Sequence, residues 1–449
     1  MTHTHLIDNA PAKRRLALLA PGIAQALIAL DYAIVYIALP ALAQDLHLSP
    51  GEMQWVVSLY GLTFAGLLLL GGSLCDRFGA RQVFSAGMGL FLLASVIGGM
   101  AHTASMLLLA RAGQGMAAAL LQPAILALMA QRFQGEAHRR ALAVWSAIGA
   151  LGLVAGVMLG GVLVSVNWRV IFFINLPPGL LALWRVRRDF SAVRAGTEKS
   201  PAGWGALLGC ATAGALVWAL MRYAETGTHD FIANRLALGM AVLFLLHERF
   251  AQHPLFSPRL RNLSGLKSGW LSSGCYMASV GSQFYVMTLL WQQSWQLGAV
   301  MTGLLFTPLA VLIVVGNALY SSLTRRFASA QVLVAGFAAA ALGLGLLSAS
   351  LPVPVSWGFM LGIALSGVGH GLIYPAMFAI GLTATPAALQ GRASALIATS
   401  QYMAGAMMLA AITVILGTHP ILENWVTVFH WLTAAALVGM CIALCAPRD

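Results

Sequence analysis

Long apolar runs separated by short polar segments make up most of the chain. The runs are close to or above the roughly 20 residues that a helix, which rises 1.5 Å per residue, needs to cross a hydrocarbon core of about 30 Å. None shows the alternation over about 10 residues that marks a membrane β-strand. We predict an all-α polytopic membrane protein with 14 spans, at residues 16–40, 53–74, 82–101, 104–130, 141–164, 169–186, 203–221, 235–251, 268–291, 302–323, 330–350, 356–380, 394–416 and 427–446.

Composition supports a membrane protein. Only 8% of the 449 residues are charged, against about 25% in an ordinary soluble domain. The net charge of +12 reflects basic loops on one side of the membrane rather than a nucleic-acid surface. With the N-terminus in the cytoplasm, only Arg169, Arg222 and Arg235 of the 25 basic residues fall on the opposite side, and Arg111 lies within a span. We therefore place both termini in the cytoplasm.

The spans divide as six, two and six. A charged segment near 187–201 follows the sixth span, and the two spans after it contain no charge near their middle. The turn after the second span and the turn after the tenth, at 320–329, both place arginine and phenylalanine between two helices, which indicates a weak internal repeat. We predict an N-terminal six-helix bundle at 1–186, a basic linker with two additional helices at 187–267, and a pseudo-symmetric C-terminal six-helix bundle at 268–449.

Asp31 and Arg111 are charged residues inside apolar spans. An aspartate at the centre of a span costs roughly 2.5–3.5 kcal/mol on the insertion scale, so ionisable groups there usually have a function. Helical rise places both residues about 20 Å from the cytoplasmic side, so they can pair directly or through Gln114 or a water. Of the 13 acidic residues, only Asp31 lies deep in a span. We predict that Asp31 carries a coupling proton and that Arg111 tunes it; a permanent structural ion pair is the alternative.

A short cytoplasmic turn joins the second and third spans and is rich in glycine and charge. Its glycines allow a tight reversal with helices in close contact. An aspartate at the helix end can form ion pairs that hold one conformation and break in the other. We predict a gating turn; simple anchoring by its arginines is the alternative. The turn residues are Gly72, Asp76, Arg77, Gly79 and Arg81.

Four segments resemble signatures of the major facilitator superfamily, and within it of the fourteen-span drug:proton antiporter family. They are Leu30-Asp31 to Leu39-Pro40, the turn at 72–81, Ala110-Arg111-Ala-Gly113-Gln114-Gly115, and Trp168-Arg169 to Asn175-Leu-Pro177. All four occur in the family's order and in the corresponding spans. The resemblance covers nearly the whole chain. It implies the major facilitator fold and proton-coupled export by alternating access.

The fifth span has small residues every four positions, at Gly152, Gly156 and Gly160. Such a stripe permits close contact between two helices. The resemblance assigns this span the antiporter signature, at the interface between the two bundles. The family's proline after the central glycine is Val157 here, so pure helix packing remains the alternative.

His370 is the titratable residue that stands out in the C-terminal half, and it is flanked by glycines. A second protonation or substrate site is one interpretation, and a buried neutral histidine is the other. Polar or aromatic residues in apolar spans should face the interior, where they line a substrate cavity or bridge helices. The cavity candidates are Gln25, Tyr32, Tyr36, Gln54, Tyr60, Gln114, Gln122, Gln283, Asn317, Tyr374 and Gln401.

Together these patterns predict a proton-coupled exporter of small amphipathic or lipophilic compounds in the bacterial inner membrane. A dedicated transporter of one metabolite, without strict antiport, is the alternative. We find no enzyme motif, no nucleotide loop and no metal-ligand spacing in the sequence. The expected partners are a small-molecule substrate and the lipid bilayer, with no nucleic acid. We expect protons as the coupling ion, no cofactor, and function as a monomer.

Overall fold

The computed structural model describes residues 18–190, 204–226, 228, 230–251, 254, 260, 262–351, 356–383, 385–386, 389–417 and 420–447. Over these ranges the chain is helical, with no strand. Its helices are α1 Leu19–Leu46, α2 Pro50–Phe78, α3 Ala80–Gly99, α4 Ala104–Arg132, α5 Gly135–Val166, α6 Val170–Phe173, α7 Leu176–Asp189, α8 Trp204–Thr226, α9 Phe231–Phe250, α10 Ser264–Tyr276, α11 Ser282–Leu289, α12 Ala299–Leu323, α13 Ser329–Ser350, α14 Trp357–Thr383, α15 Gln390–Leu416 and α16 Leu422–Leu444.

The predicted helical membrane architecture is confirmed. Thirteen stretches of the described chain are long and apolar enough to cross a membrane. The remaining prediction, 268–291, falls in the helical run 264–294, which two π-helical segments, Met277–Gly281 and Leu290–Ser294, divide into shorter pieces. A count of fourteen therefore requires this run to be one crossing. Eight of the basic residues that were predicted on the cytoplasmic side lie outside the described residues: Lys13, Arg14, Arg15, Arg194, Lys199, Arg259, Arg261 and Arg448.

The helices pack into two groups joined by two main contacts. In the first group α1 packs on α5 and α4 packs on both α2 and α3, while in the second α14 packs on α12 and α13, and α16 on α13. Across the groups α5 meets α12 and α2 meets α15. The two additional helices lie beside this second contact: α8 packs on both α2 and α15, and α9 packs on α8. The boundaries 1–186, 187–267 and 268–449 stay a prediction.

Polar caps define where several helices begin. The side chains and backbones of Ser49 and Glu52 bond reciprocally at the start of α2, which forms a capping box. The Asp230 carboxylate accepts hydrogen bonds from the backbone N–H groups of Ile232 and Ala233 and pairs with Arg222 at 3.1 Å. The bonds from the Ala233 backbone and from Arg222 lower the pKa of Asp230. The cap therefore stays charged at neutral pH, and it is lost as the pH falls through the lowered pKa.

The predicted gating turn is a single-residue reversal at Gly79. Gly79 ends α2 and precedes α3 with φ +88° and ψ 144°, a conformation that suits glycine alone. Gly72 lies about two turns earlier within α2, and a Cβ there would meet nothing within 4 Å. The expectation that Gly72 permits close helix contact is therefore wrong, because no neighbouring helix approaches it.

The charged residues of the turn lie at the end of the bundle that the charge pattern assigns to the cytoplasm. Asp76 and Arg77 are exposed, and within the described chain the Asp76 carboxylate has no ion pair. Arg81 donates from Nη2 to the backbone carbonyl of Arg187 at the end of α7, at 3.1 Å. The turn is thus tied to the sixth predicted span through Arg81, and its role as a gate stays a prediction.

Replacing Gly79 with alanine tests the backbone requirement. We expect G79A to lose about 1–3 kcal/mol of stability because a side chain is strained at this φ and ψ. The matched control is G72A, which adds a methyl group in open space and should stabilise the helix by about 0.5–1 kcal/mol. Thermal unfolding of the purified protein in detergent measures both. Equal midpoints for the two variants would contradict the assignment.

Candidate functional site

Asp31 lies in the middle of α1 with its carboxylate fully enclosed by hydrogen-bond donors. Arg111 Nη1 donates to Oδ2 at 2.7 Å. Gln114 Nε2 and Asn175 Nδ2 donate to Oδ1 at 2.7 and 3.1 Å. An ionised carboxylate only accepts hydrogen bonds, so this arrangement matches the charged form of Asp31.

Arg111 is held from three further directions. Its Nε donates to the Val56 carbonyl on α2 at 3.0 Å, and its Nη1 also donates to Gln114 Oε1 at 2.7 Å. Its guanidinium carbon lies 4.5 Å from the centre of the Tyr60 ring, a cation–π distance. These contacts fix the guanidinium between α1, α2 and α4.

The pair is buried away from solvent. The relative exposure of Asp31 is 0% and that of Arg111 is 1%. Removing either charge is expected to destabilise the fold strongly, because the other charge would then be buried without a compensating partner. Direct pairing and bridging through Gln114, which the sequence left as alternatives, both occur.

Ser95 and Asn175 complete the cluster, and neither was among the predicted site residues. The Ser95 hydroxyl, on α3, accepts from both Gln114 Nε2 and Asn175 Nδ2 at 3.2 Å. Asn175 belongs to the sixth-span signature, so its position in that segment was a usable signal. Ser95 carries no sequence signal, because one serine in an apolar helix resembles any other.

Asn175 sits where the sixth span is interrupted. Pro177 and Pro178 lack the N–H groups that would bond the carbonyls of Phe173 and Ile174, so the helix breaks between α6 and α7. The break places Asn175 at the start of α7, with its side chain buried against α1. Asp31, Arg111, Gln114, Ser95 and Asn175 form the site that we call the carboxylate cluster.

The glycine stripe of α5 faces α1 rather than the interface between bundles. Gly152, Gly156 and Gly160 pack against residues 26–37 of that helix. The placement at the interface is therefore wrong for these three, because they lie on the face of α5 that turns toward α1. Gly161 and the carbonyl of Val157 instead meet α12, at Ala299 and Gly303. The stripe brings α5 close to the turn of α1 that carries Asp31.

Aromatic residues extend from the carboxylate cluster to the C-terminal half. The Tyr36 hydroxyl donates to that of Tyr32 at 3.1 Å, and the Tyr32 hydroxyl reaches the sulfur of Met277 at 4.0 Å. The Tyr36 ring packs on Phe284 with centres 5.8 Å apart. Tyr60 lies between Tyr32 and Arg111. These predicted cavity residues are therefore grouped at the contact between α1 and the ninth predicted span.

His370 is held on both sides of its ring. The Tyr276 hydroxyl hydrogen-bonds its Nε2, and the backbone of Val280, in the first π-helical segment, bonds the ring as well. This geometry matches a neutral imidazole with one donor and one acceptor nitrogen. Phe284 separates His370 from Tyr36, with its ring centre 6.3 Å from that of His370. The structure does not bring His370 into the carboxylate cluster, and its role in proton coupling stays a prediction.

The remaining predicted cavity residues are dispersed. Gln54 is buried and donates to the Ala406 carbonyl at 3.3 Å, which joins α2 to α15. Gln283 donates to Ser366 at 3.0 Å inside the C-terminal half. Gln25 lies against Gly149 of α5. Gln401 is buried, and Gln122 and Asn317 are half-buried in their helices. Tyr374 is 44% exposed.

A cavity of about 760 Å³ opens at the end of the bundle that the charge pattern assigns to the outside. Residues of both halves line it, including Gln44, Met53, Tyr285, Gln293 and Thr413. Its volume falls within the range of small-molecule sites. The cavity lies between α1, α2, α11 and α15, and thus on the line where the two halves meet.

The charge pair can be tested by removing first one of its charges and then both. We expect R111M to cost about 3–5 kcal/mol of stability because Asp31 is left buried and charged. The double variant D31N/R111M should be more stable than R111M, because no charge remains. The control is R140M, which breaks the exposed Arg140–Glu136 pair and should cost less than about 1 kcal/mol. Thermal unfolding in detergent measures all three, and equal losses for R111M and R140M would contradict the burial argument.

Known proteins resemble this chain in sequence and in fold. A sequence profile described as Major Facilitator Superfamily matches residues 22–409. The structure of a POT family transporter in complex with 5-aminolevulinic acid superposes with a TM-score of 0.71, covering 97% of this chain and 96% of that one. Its sequence identity is 13%, so this likeness concerns the fold alone.

Three similar sequences carry functional names. A cephamycin export protein of Amycolatopsis lactamdurans is 35% identical, over 90% of this chain and 85% of its own. A puromycin resistance protein of Streptomyces alboniger is 36% identical, over 87% of this chain and 80% of its own. A multidrug resistance protein of Mycobacterium tuberculosis is 29% identical over 86% and 73%.

Proposed function

Because the chain belongs to the major facilitator superfamily, we propose that it exports small amphipathic or lipophilic compounds from the cytoplasm in exchange for protons. Transport proceeds by alternating access of the two helical groups. The protein is a multi-pass membrane transporter rather than a member of an enzyme family. We place it in the bacterial inner membrane with both termini in the cytoplasm, acting as a monomer without a cofactor.

The buried Asp31 carboxylate is the observation that carries the proposal. It is the one acidic group within the middle of a predicted span, and it is fully enclosed. A structural pair alone would be a costly way to stabilise a membrane bundle, because apolar packing at the same position costs less. A group that takes up and releases a proton requires this placement, at the point where access alternates.

The driving force is large enough to concentrate a substrate. One proton moving inward contributes roughly 2.3 kcal/mol per 100 mV of membrane potential and about 1.4 kcal/mol per unit of pH difference. A tenfold substrate gradient costs about 1.4 kcal/mol. Exchange of one proton for one neutral molecule therefore supports more than a tenfold gradient under ordinary membrane conditions.

The charges of the interior indicate the kind of substrate. Arg111 already neutralises Asp31, and no second deep acid is present in the sequence to hold a dication. The surfaces that remain are aromatic and amphipathic, as at Tyr32, Tyr36 and Tyr60. A neutral, weakly acidic or singly charged lipophilic compound suits this site. The relatives named for cephamycin and puromycin support an antibiotic-like substrate.

A dedicated transporter of one metabolite is the second candidate. Its support is that a relative is named for the export of a single compound class, cephamycin, whereas another is named for multidrug resistance. The two candidates share the fold and the carboxylate cluster. They differ in how many chemically unrelated compounds the cavity accepts.

Transport by reconstituted protein tests the role of Asp31. In inside-out oriented proteoliposomes with an imposed pH gradient, we expect the wild type to accumulate an active compound. D31N should lose this uphill accumulation by at least about tenfold, because no group remains to exchange the proton.

The control for this experiment is E423Q, which removes an exposed acid at the outer start of α16 and should accumulate substrate as the wild type does. Folding of D31N is checked by its elution profile and thermal midpoint. Normal accumulation by well-folded D31N would show that Asp31 does not carry the coupling proton.

Substrate competition separates the two candidate functions. We expect puromycin, a β-lactam and a lipophilic cation each to inhibit efflux of the others, because one aromatic interior offers few directional contacts. The measurement is the inhibition constant of each compound against labelled efflux of another. Inhibition by a single compound class would instead support the dedicated transporter.

A further inference from the structure

Asn175 carries a buried acceptor that the charged state of the cluster leaves unused. Its Nδ2 donates to Asp31 Oδ1 and to Ser95, whereas its Oδ1 has no hydrogen-bond partner in the described structure although it is buried. An unpaired buried acceptor is unfavourable, because it has lost its hydrogen bonds to water and has gained none in the protein. Such an atom calls for an explanation in the working cycle of the site.

Protonation of Asp31 changes what the carboxylate needs. As a carboxylate it accepts from Arg111, Gln114 and Asn175. Once a proton is bound to Oδ1, the new O–H requires an acceptor, but the two groups facing Oδ1 both present donors. Gln114 Oε1 already accepts from Arg111 at 2.7 Å. The unused Oδ1 of Asn175 is the acceptor that remains on an adjacent side chain.

We infer that Asn175 is a coupling residue whose amide turns over when Asp31 binds a proton, with the Ser95 hydroxyl as the group that serves both states. Rotation of the amide by half a turn exchanges its two terminal atoms. Oδ1 then occupies the place from which Nδ2 contacts Asp31 at 3.1 Å and Ser95 at 3.2 Å.

The proton balance of this step is simple. Asp31 gains one proton at Oδ1 and donates it in a hydrogen bond to Asn175 Oδ1, while the Ser95 hydroxyl turns from accepting to donating toward the same oxygen. The pair changes from net zero to one positive charge, on Arg111. The other ionisable groups around the cluster are the phenols of Tyr60, which lies against Arg111, and Tyr36. When the proton leaves, the amide turns back and stabilises the carboxylate.

The inference extends the proposed function, since it rests on proton exchange at Asp31. It also explains why the sixth span breaks where it does. The break between α6 and α7 places an amide, which can both donate and accept, directly opposite the carboxylate. A residue that only donates would favour the charged state at all times, and the proton would not be exchanged.

Four variants test the inference in proteoliposomes. N175L keeps the size of the side chain but neither donates nor accepts, and we expect proton uptake coupled to substrate export to fall at least about tenfold. Exchange of labelled for unlabelled substrate at equal pH, which moves no net proton, should fall several-fold less than coupled uptake does. N175S, whose hydroxyl both donates and accepts, should restore part of the coupling. S95A should weaken coupling, and the matched control S348A, at a buried serine of α13, should not.

The outcomes separate this inference from the proposed function. If D31N is uncoupled while well-folded N175L remains fully coupled with the wild-type pH profile, the inference is wrong and the proposed function stands. If D31N itself remains coupled, the proposed function is wrong. Equal loss of exchange and coupling in N175L would show that Asn175 has a structural role only, and would overturn the inference.

Discussion

A buried carboxylate must be matched by donors, and this constraint organises the N-terminal half. Asp31 accepts hydrogen bonds from a guanidinium of α4, from an amide of the same helix and from a second amide at the start of α7. α2 contributes the Val56 carbonyl that holds the arginine, and α3 contributes Ser95. Helices α1, α2, α3, α4 and α7 thus meet at one cluster of polar atoms.

The same helix that carries Asp31 also contacts the other half. Tyr32 follows Asp31 directly and reaches Met277 in the first π-helical segment. Five residues further along, the Ile37 carbonyl accepts a hydrogen bond from Gln292 in the second π-helical segment, at 3.0 Å. π-Helical segments interrupt the regular hydrogen-bond pattern and often occur at functional sites. Through these two contacts, a shift of α1 would reach both π-helical segments of the run 264–294. They give the proposed proton binding a physical route to movement between the halves.

Much of this arrangement follows from the sequence, and its limits have physical causes. Apolar run lengths predicted the helices because span length is set by the bilayer, and the cost of burying charge singled out Asp31 and Arg111. The resemblance to the superfamily's loop signature placed a turn at 72–81, and the reversal lies there, at Gly79. The sequence could not predict which face of α5 meets which neighbour, because glycine every four residues suits contact with α1 or α12 equally. It also missed Ser95, whose role depends on three helices converging.

Infrared difference spectroscopy of the purified protein can show whether Asp31 exchanges a proton, because it detects protonation of a single buried carboxyl group. We expect a carboxylic-acid C=O band in the acid form of the wild type that disappears when substrate is added and is absent in D31N. A carboxylate that stays ionised across the whole pH range, with no change on substrate addition, would show that Asp31 and Arg111 form a permanent structural pair, which contradicts proton exchange at this site.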